Sequence, residues 1–159
     1  ERMLNEYLEF SRNQKNEDTE IVSVDSLIID VVKKYNNKKI KTNSNTGVQI
    51  PLRQNTFKRC LNNLIDNGLA YAEIVEISTK KIVKDLIINI DDDGPGIPQE
   101  EYKKVIKPFY RIDKSRGQNK SGVGLGLSIA NDIVRSHGGN ILLEKSPMNG
   151  LRVKISLPL

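Results

Sequence analysis

The chain has 159 residues, of which 37% are hydrophobic and 28% are charged, and its formal net charge is +5. This length suits one domain with a buried core, and no apolar run approaches the about 20 residues that cross a bilayer. The lysines are scattered and tryptophan is absent, so the positive charge predicts a solvated surface and not a nucleic-acid interface.

Two further features limit what the chain can be. Its one cysteine, Cys60, excludes an intrachain disulfide and a cysteine-based metal site, and its helical phase with Leu64 predicts a buried small hydrophobe. The chain begins at Glu1 and not at methionine, so we expect it to be a fragment of a longer protein.

The N-terminal segment predicts a helix and a linker. Apolar residues between Met3 and Phe10 recur at helical spacing, which predicts an amphipathic helix over residues 1–14. The polar run 11–20 is typical of a linker. We therefore expect residues 1–19 to precede the main domain, which we assign to residues 20–159.

The main domain is expected to combine short strands with longer helices. Strands are predicted at residues 21–24, 39–42, 48–52, 74–79, 86–91, 141–144 and 151–157, with a turn over 43–47. Helices are predicted at residues 25–35, 54–72, 98–107 and 125–137, the first of them capped by Asp25.

Two asparagines on the helix over residues 54–72 are candidate ligands. Asn63 and Asn67 are four residues apart, so they share one helical face. Magnesium prefers oxygen ligands and keeps most of its water, so one carboxamide beside a triphosphate can supply the protein ligand. The same spacing also suits two polar residues that face solvent.

An acidic turn follows the strand over residues 86–91. Asp92 and Asp93 come directly before Gly94, and Gly96 follows after a proline. Glycines let the backbone approach a flat ring, and a carboxylate there can accept a hydrogen bond from an exocyclic amine. This arrangement favours adenine over guanine.

A calcium loop is a rival interpretation of the same segment. The residues at positions 1, 3, 5, 6 and 12 of an EF-hand loop would be Asn89, Asp91, Asp93, Gly94 and Glu100. However, asparagine stands at the first position, Pro95 follows the glycine, and the preceding segment predicts a strand where an EF-hand needs a helix. The sequence therefore disfavours calcium.

A glycine cluster precedes the helix over residues 125–137. Gly122, Gly124 and Gly126 occupy alternate positions, and backbone N–H groups at the start of a helix bind phosphate. Leu127 stands where the Rossmann pattern needs glycine, and Lys120 follows asparagine and not the glycine of a P-loop. The cluster therefore indicates a phosphate site of another kind.

The polar loop before the glycines contains several cations. These are Arg111, Lys114, Arg116 and Lys120. Lids over triphosphates use such cations to neutralise developing charge, although a solvated charged loop has the same composition. Arg111 is the strongest candidate, because it adjoins Phe109 and Tyr110.

Together these motifs resemble the catalytic and ATP-binding domain of two-component sensor histidine kinases, within the GHKL superfamily. The similar segments are residues 61–71 (N box), 91–97 (G1 box), 105–111 (F box) and 122–127 (G2 box). Residues 1–14 resemble the end of the second helix of a dimerisation and phosphotransfer hairpin. The osmosensor-type kinases are the subgroup that we suggest.

The resemblance and the predicted elements imply an α/β (α+β) two-layer sandwich of the Bergerat ATP-binding type. It would contain a mixed sheet of about five strands, with three helices on one face. ATP and magnesium are the implied cofactors. Asn67 would ligate magnesium and act in catalysis with Arg111, Asn63 would lie near the metal and phosphates, Tyr71 would flank adenine and Asp92 would bind its amino group.

The remaining implied contacts surround the base and the triphosphate. They involve Gly94, Gly96, Gly122, Gly124, Gly126 and Leu127. The N box usually carries lysine before its tyrosine, where this chain has Ala70, so a phosphate contact would be lost or moved to Lys114 or Lys120.

The implied reaction moves the γ-phosphoryl group of ATP to a histidine on a separate hairpin domain, and then to a response regulator. The full-length protein would be a homodimer with this domain in the cytoplasm and the parent in the inner membrane, whereas the fragment would be monomeric. No motif for the accepting histidine is present, and we expect His137 to be structural.

Two alternatives remain open. A GHKL-type ATPase would need a glutamate where this chain has Asn63, and a carboxamide cannot act as a general base. A nucleotide-binding module without chemistry is compatible with Ala70 and with the missing acceptor histidine.

Overall fold

The computed structural model describes residues 5, 8, 9, 16–35, 39–110 and 125–159. The helices of the main domain are α1 (Val24–Lys33), α2 (Gln54–Tyr71) and α3 (Gly126–Ser136), with a 3-10 turn at Gln99–Glu101. The strands are β1 (Glu20–Ser23), β2 (Ile40–Asn43), β3 (Gln49–Leu52), β4 (Val75–Ile82), β5 (Asp85–Asp92), β6 (Asn140–Lys145) and β7 (Leu151–Pro158).

The main sheet is mixed and has five strands in the order β2-β4-β5-β7-β6. Strands β2 and β4 are parallel, whereas the other neighbours are antiparallel. Strands β1 and β3 form a separate antiparallel pair. The predicted two-layer arrangement, a mixed five-stranded sheet with three helices on one face, is confirmed.

The two faces of the main sheet differ because side chains alternate along each strand. On β7, Val153 and Ile155 are buried, and they belong to the core that the helices cover. The other face carries a row of charged residues that crosses all five strands in register. This row consists of Glu144, Arg152, Asp91, Glu76 and Lys41.

Helices α2 and α3 pack antiparallel on the covered face. Near one end of the pair, the Phe57 and His137 rings meet edge to face with centroids 5.5 Å apart. In the middle, the Cys60 thiol contacts the Ala130 carbonyl oxygen at 3.7 Å. The N-terminus of α3 consequently reaches α2 near Asn63, whose carbonyl oxygen would lie 3.9 Å from a Cβ placed at Gly126.

His137 joins the end of α3 to the start of α2. Its Nδ1 lies 2.7 Å from the Ile133 carbonyl oxygen, and its Nε2 lies 3.0 Å from the Arg53 backbone nitrogen, which donates to it. This pairing requires a neutral ring with the proton on Nδ1. Burial lowers the pKa of His137 and favours the same state. These contacts support the expected structural role.

The N-terminus of α2 is capped from outside the helix. Its N-cap residue, Arg53, makes no side-chain cap. Instead the Glu17 carboxylate accepts from the backbone nitrogens of Asn55 at 2.6 Å and Thr56 at 2.8 Å, and from the Thr56 hydroxyl at 2.6 Å. Residues before the assigned domain therefore complete its longest described helix.

The structure corrects three local predictions. The predicted turn over 43–47 does not join two paired strands, because β2 pairs with β4 and β3 pairs with β1. Asp25 is not the cap of α1: the Ser23 hydroxyl caps it, whereas Asp25 accepts from Ser44 at 2.5 Å and Gly47 at 2.8 Å. Those bonds hold the segment between β2 and β3, residues 44–48, against the start of α1.

The third correction concerns the predicted helix over 98–107. Only a 3-10 turn and looser turns form there, with Tyr102 donating to Gln99 and Lys107 donating to Lys104. The backbone bonds in this segment reach three residues back, apart from the one from Val105 to Glu101, so no regular α-helix develops. Within the described residues, no helix is long and apolar enough to cross a membrane.

Candidate functional site

The candidate site lies where α2, the end of β5 and the start of α3 meet. At this position α2 presents a strip of residues four apart, Asn63, Asn67 and Tyr71. The two asparagines are half-buried, and Tyr71 is 50% exposed. The strip therefore borders a surface that a ligand can reach.

Asp92 is the buried carboxylate of this site. It ends β5, is only 9% exposed, and its side chain lies on the helix side of the sheet. Its Oδ1 accepts from the backbone nitrogens of Gly94 at 2.9 Å and Leu151 at 3.1 Å. Within the described part of the chain, no donor bonds its Oδ2, so one carboxylate oxygen is fixed and the other stays available.

Burial raises the pKa of Asp92. The charges of Asp93 and Asp91 raise it further, whereas the hydrogen bonds from Leu151 and Gly94 lower it. Burying a carboxylate costs folding free energy unless it is paired and hydrogen-bonded. Groups held at this cost concentrate at functional sites.

Gly68 brings α2 against Asp92. A Cβ at position 68 would lie 3.7 Å from the Asp92 Cβ, 3.9 Å from its Oδ2 and only 2.9 Å from Val75 Cγ2. The close approach is therefore to Val75 of β4, while Asp92 lies at ordinary van der Waals distance. The Oδ2 atom of Asp92 therefore faces α2 at Gly68.

Neighbouring Asp93 has a different task. Its Oδ1 accepts from the backbone nitrogens of Glu73 and Ile74, both at 2.9 Å. The bond from Ile74, followed by the bond from Glu73, lowers the pKa of Asp93 despite some desolvation. Asp93 thus fixes the connection between α2 and β4 and leaves the pocket position to Asp92.

The glycine turn after β5 packs closely on its surroundings. A Cβ at Gly94 would come 2.7 Å from the Tyr71 carbonyl oxygen, and Gly96 has a positive φ of 69°. Glycine alone adopts this conformation without steric cost. The turn is therefore held against the last turn of α2.

Residues 52–159 match the family described as histidine kinase-, DNA gyrase B-, and HSP90-like ATPase. The chain belongs to this ATPase family. It is accordingly an ATP-binding domain, and the expected likeness to the catalytic domain of sensor histidine kinases is confirmed by its relatives.

Three relatives show how far the likeness extends. The sensor histidine kinase GtrS of Pseudomonas aeruginosa is 40% identical over 102 residues, which cover 64% of this chain and 21% of that protein. The sensor histidine kinase WalK of Bacillus subtilis is 30% identical over 171 residues, covering 99% and 28%. The solved catalytic domain of histidine kinase ThkA has a TM-score of 0.75 at 24% identity, covering 89% and 95%. The chain spans 21% and 28% of the two curated relatives.

Within this ATPase-family domain, the structure brings together most of the site residues predicted from sequence. Those that lie along α2, at the end of β5 and in its turn, and at the start of α3 are Asn63, Asn67, Tyr71, Asp92, Gly94, Gly96, Gly126 and Leu127. The other candidates, Arg111, Lys114, Lys120, Gly122 and Gly124, lie outside the described residues. The assigned roles of all these residues stay predictions.

The calcium alternative does not fit the structure. Both carboxylate oxygens of Asp91 accept from Arg152, Oδ1 from Nε at 2.7 Å and Oδ2 from a terminal nitrogen at 3.0 Å. Asp93, another acid of that loop, accepts from the backbone nitrogens of Glu73 and Ile74. Two of the acids that a calcium ion would need are therefore engaged by other partners.

The oxygen donors at the cleft fit magnesium better than a protein-enclosed metal. In the ranges that the structure describes, no three His, Cys, Asp or Glu side chains form a metal-binding group. The carboxamides of Asn63 and Asn67 can supply one ligand to a magnesium ion that keeps water and phosphate oxygens.

Sequence reasoning did not identify two contributors to the site. Gly68 lies inside the asparagine-rich segment but was not distinguished from an ordinary helical residue. The pair Gly150 and Leu151 lies beyond 50 residues from Asp92 in the sequence and yet borders its carboxylate. Gly150 follows Asn149, and this Asn-Gly pair indicates a hairpin turn without showing what the turn contacts.

Proposed function

We propose that this domain binds Mg-ATP between α2 and the turn after β5, and that it transfers the γ-phosphoryl group to a histidine on a separate hairpin domain. The observation that carries the proposal is Asp92. It is a buried carboxylate with one oxygen held by two backbone amides and the other facing Gly68 of α2, the residue next to Asn67.

Asp92 selects the base. Its Oδ2 accepts a hydrogen bond from the exocyclic amine of adenine, whereas guanine presents a carbonyl oxygen at the corresponding position and would be repelled. Gly68 leaves room for the base beside the carboxylate, and Tyr71 flanks it. Hydrogen bonds to charged groups contribute about 1.5–3 kcal/mol, which is enough for a clear preference for ATP.

The triphosphate extends along α2 from Asp92 toward Asn63. The start of α3 adjoins that part of α2, and its helix dipole and backbone N–H groups favour a phosphate there. Its N-cap residue, Leu125, makes no competing side-chain cap. Arg111, Lys114, Lys120, Gly122 and Gly124 would complete the phosphate contacts.

Asn67 supplies the protein ligand to magnesium, and Asn63 lies close to the metal and phosphates. When bound, magnesium neutralises charge on the phosphate oxygens. The residues of the chain then position ATP so that the acceptor imidazole nitrogen bonds to the γ-phosphorus, the bond to the bridging oxygen breaks, and ADP leaves. Positioning and charge neutralisation carry most phosphoryl transfers of this kind.

Hydrolysis by the domain alone is disfavoured. A GHKL ATPase that activates water needs a carboxylate where this chain has Asn63, and a carboxamide cannot take the proton. His137 is also unsuited to accept phosphate, because Ile133 and Arg53 engage its two ring nitrogens.

The relatives named as sensor histidine kinases suggest the partners. We place the acceptor histidine on a hairpin domain of a homodimeric parent protein, followed by transfer to a response regulator. The ATP requirement agrees with a cytoplasmic position for the domain, and the parent would lie in the inner membrane. The fragment itself should be monomeric.

A mixing experiment tests this proposal. The chain and a purified hairpin domain with its acceptor histidine are incubated with γ-labelled ATP and magnesium. Acid-labile, base-stable phosphate should appear on the hairpin domain, and the His137→Gln variant should transfer nearly as well. Label on His137, or rapid ATP hydrolysis by the chain alone, would refute the kinase proposal. ATP binding without any transfer would favour a module without chemistry.

A further inference from the structure

The geometry points to the turn between β6 and β7, residues 146–150, as the element that orients Asp92 for adenine recognition, with Gly150 as a positioning residue. This inference rests on the proposed function, in which Asp92 binds the adenine amine. It assigns base selection partly to a segment that contacts no ligand itself.

Two adjoining amides of this hairpin hold Asp92. The Leu151 backbone nitrogen donates to Asp92 Oδ1 at 3.1 Å, and the Gly150 backbone nitrogen donates to the Asp92 carbonyl oxygen at 3.1 Å. The Gly94 backbone nitrogen donates to the same Oδ1 at 2.9 Å. The carboxylate plane is therefore fixed through one oxygen, which leaves Oδ2 directed at α2.

Glycine is required at position 150 because neighbouring atoms leave no room for a side chain, and not because of its backbone conformation. A Cβ at position 150 would overlap both Oδ1 and the carbonyl oxygen of Asp92, and it would lie 2.7 Å from the Gly94 backbone nitrogen. The glycines with positive φ within the described ranges are Gly47, Gly96 and Gly138, and Gly150 is not among them. Any side chain at this position would displace the Asp92 carboxylate.

Internal hydrogen bonds keep the turn in one shape. Ser146 is 3% exposed, its backbone nitrogen donates to the Gly150 carbonyl oxygen at 2.8 Å, and its hydroxyl accepts from Met148 at 3.0 Å. Asn149 has a positive φ of 80°, which asparagine tolerates better than most residues. The turn can therefore hold the Asp92 carboxylate in one orientation.

The consequence is specific to the base. If the carboxylate rotates about its side-chain bonds, Oδ2 leaves the position where it accepts from the adenine amine. The proposed phosphate contacts would lie toward Asn63 and Gly126, which adjoin each other away from this turn. Disturbing the turn should therefore weaken ATP binding without weakening contacts to the triphosphate.

The Gly150→Ala variant tests this inference by calorimetry with ATP, GTP and inorganic tripolyphosphate. We expect the ATP dissociation constant to rise about tenfold, equivalent to about 1.4 kcal/mol, while the constants for GTP and tripolyphosphate stay unchanged. The matched control is Gly139→Ala at the other end of the β6–β7 hairpin. Its Cβ would overlap the Ser156 carbonyl oxygen, so it should lower the melting temperature and leave the ATP to GTP ratio unchanged.

The Asp92→Asn variant separates this inference from the function on which it rests. If Asp92→Asn removes the ATP preference but Gly150→Ala keeps it, the role of the turn is overturned and the proposed adenine contact stands. If Asp92→Asn itself keeps the preference, the adenine contact is wrong, whatever Gly150→Ala does.

A measurement on the unaltered chain covers the case in which Gly150→Ala does not fold. The amide proton resonances of Gly94 and Leu151 should shift together in a pH titration, because both amides donate to the ionising Asp92 carboxylate. The shift should vanish in Asp92→Asn. A Leu151 amide that is insensitive to this ionisation would overturn the inference.

Discussion

Replacing Glu17 with alanine should lower the free energy of unfolding by about 2 kcal/mol. The substitution removes the acceptor for the Asn55 and Thr56 backbone nitrogens and for the Thr56 hydroxyl. Loss of a helix N-cap costs about 0.5–2 kcal/mol, and loss of a negative charge beside a helix N-terminus costs about 0.3–1 kcal/mol. Because Arg53 makes no side-chain cap, no alternative acceptor from the N-cap residue offsets the loss.

The effect should appear in thermal unfolding and depend on pH. For a domain of this size about 1 kcal/mol shifts the melting temperature by about 2–4 °C, so we expect a decrease of roughly 4–8 °C. Burial alone would raise the pKa of Glu17, but the bonds from Thr56 and Asn55 outweigh it and hold the pKa below 4.5. The stabilisation is therefore present above pH 4.5 and is lost as the pH falls through the folded-state pKa.

Circular dichroism melting curves at neutral and acidic pH provide the measurement. The control is Asp18→Ala, because Asp18 is adjacent and exposed. Glu17→Gln, which keeps an acceptor but loses the charge, should fall between the parent and Glu17→Ala. Equal melting temperatures for Glu17→Ala and Asp18→Ala at neutral pH would show that the cap does not stabilise α2.

Two other variants test the site and its scaffold. Asn67→Ala should abolish phosphoryl transfer with an unchanged circular dichroism spectrum, and Asn63→Ala should have the smaller effect; the opposite order would contradict the assignment of the metal ligand. His137→Gln should keep transfer but lower stability, since Ile133 and Arg53 lose their ring partners. Because burial lowers the pKa of His137, the free energy of unfolding of the parent should decrease as the pH falls below about 6.5. Denaturant titrations at several pH values should show this dependence in the parent and not in His137→Gln.

The long periodic elements could be predicted from the sequence. Helix α2 was expected at 54–72 and spans Gln54–Tyr71, while α3 was expected at 125–137 and spans Gly126–Ser136. Strand β5 and the last hairpin also lie within a few residues of their expected positions. Apolar periodicity determines these elements, because each buries one face against the same core.

Elements that depend on partners far away in the sequence could not be predicted in this way. Strand β2 pairs with β4 and not with β3, and Asp25 holds the segment that connects β2 to β3. Local turn signals do not show this pairing. The proline that opens the segment at 98–107 suggested a helix, but most backbone bonds there reach three residues back and not four. Local patterns predict whether a segment is a helix or a strand more readily than they predict which strand it pairs with.

The candidate site shows the same division. The adjacency of Asp92 and the glycine turn is local, so the motif indicated it. The approach of Gly68 and the bond from Leu151 arise only when α2 packs on one face of the sheet and β7 pairs with β5 within it. Tertiary packing therefore supplies the orientation of the carboxylate, and the sequence motif supplies its chemistry.

The charged row lies on the sheet face opposite the described helices, which makes that face a convenient place for a reporter group. Ser78 lies on this face beside Asn89 and Asn43 in register, whereas Asp92 and α2 lie on the other side. Cys60, the one native thiol, is fully buried, and burial raises its pKa. Thiol reagents should therefore not react with it. A Ser78→Cys variant would then carry a single fluorophore, which would report on motions of the domain without obstructing the candidate site.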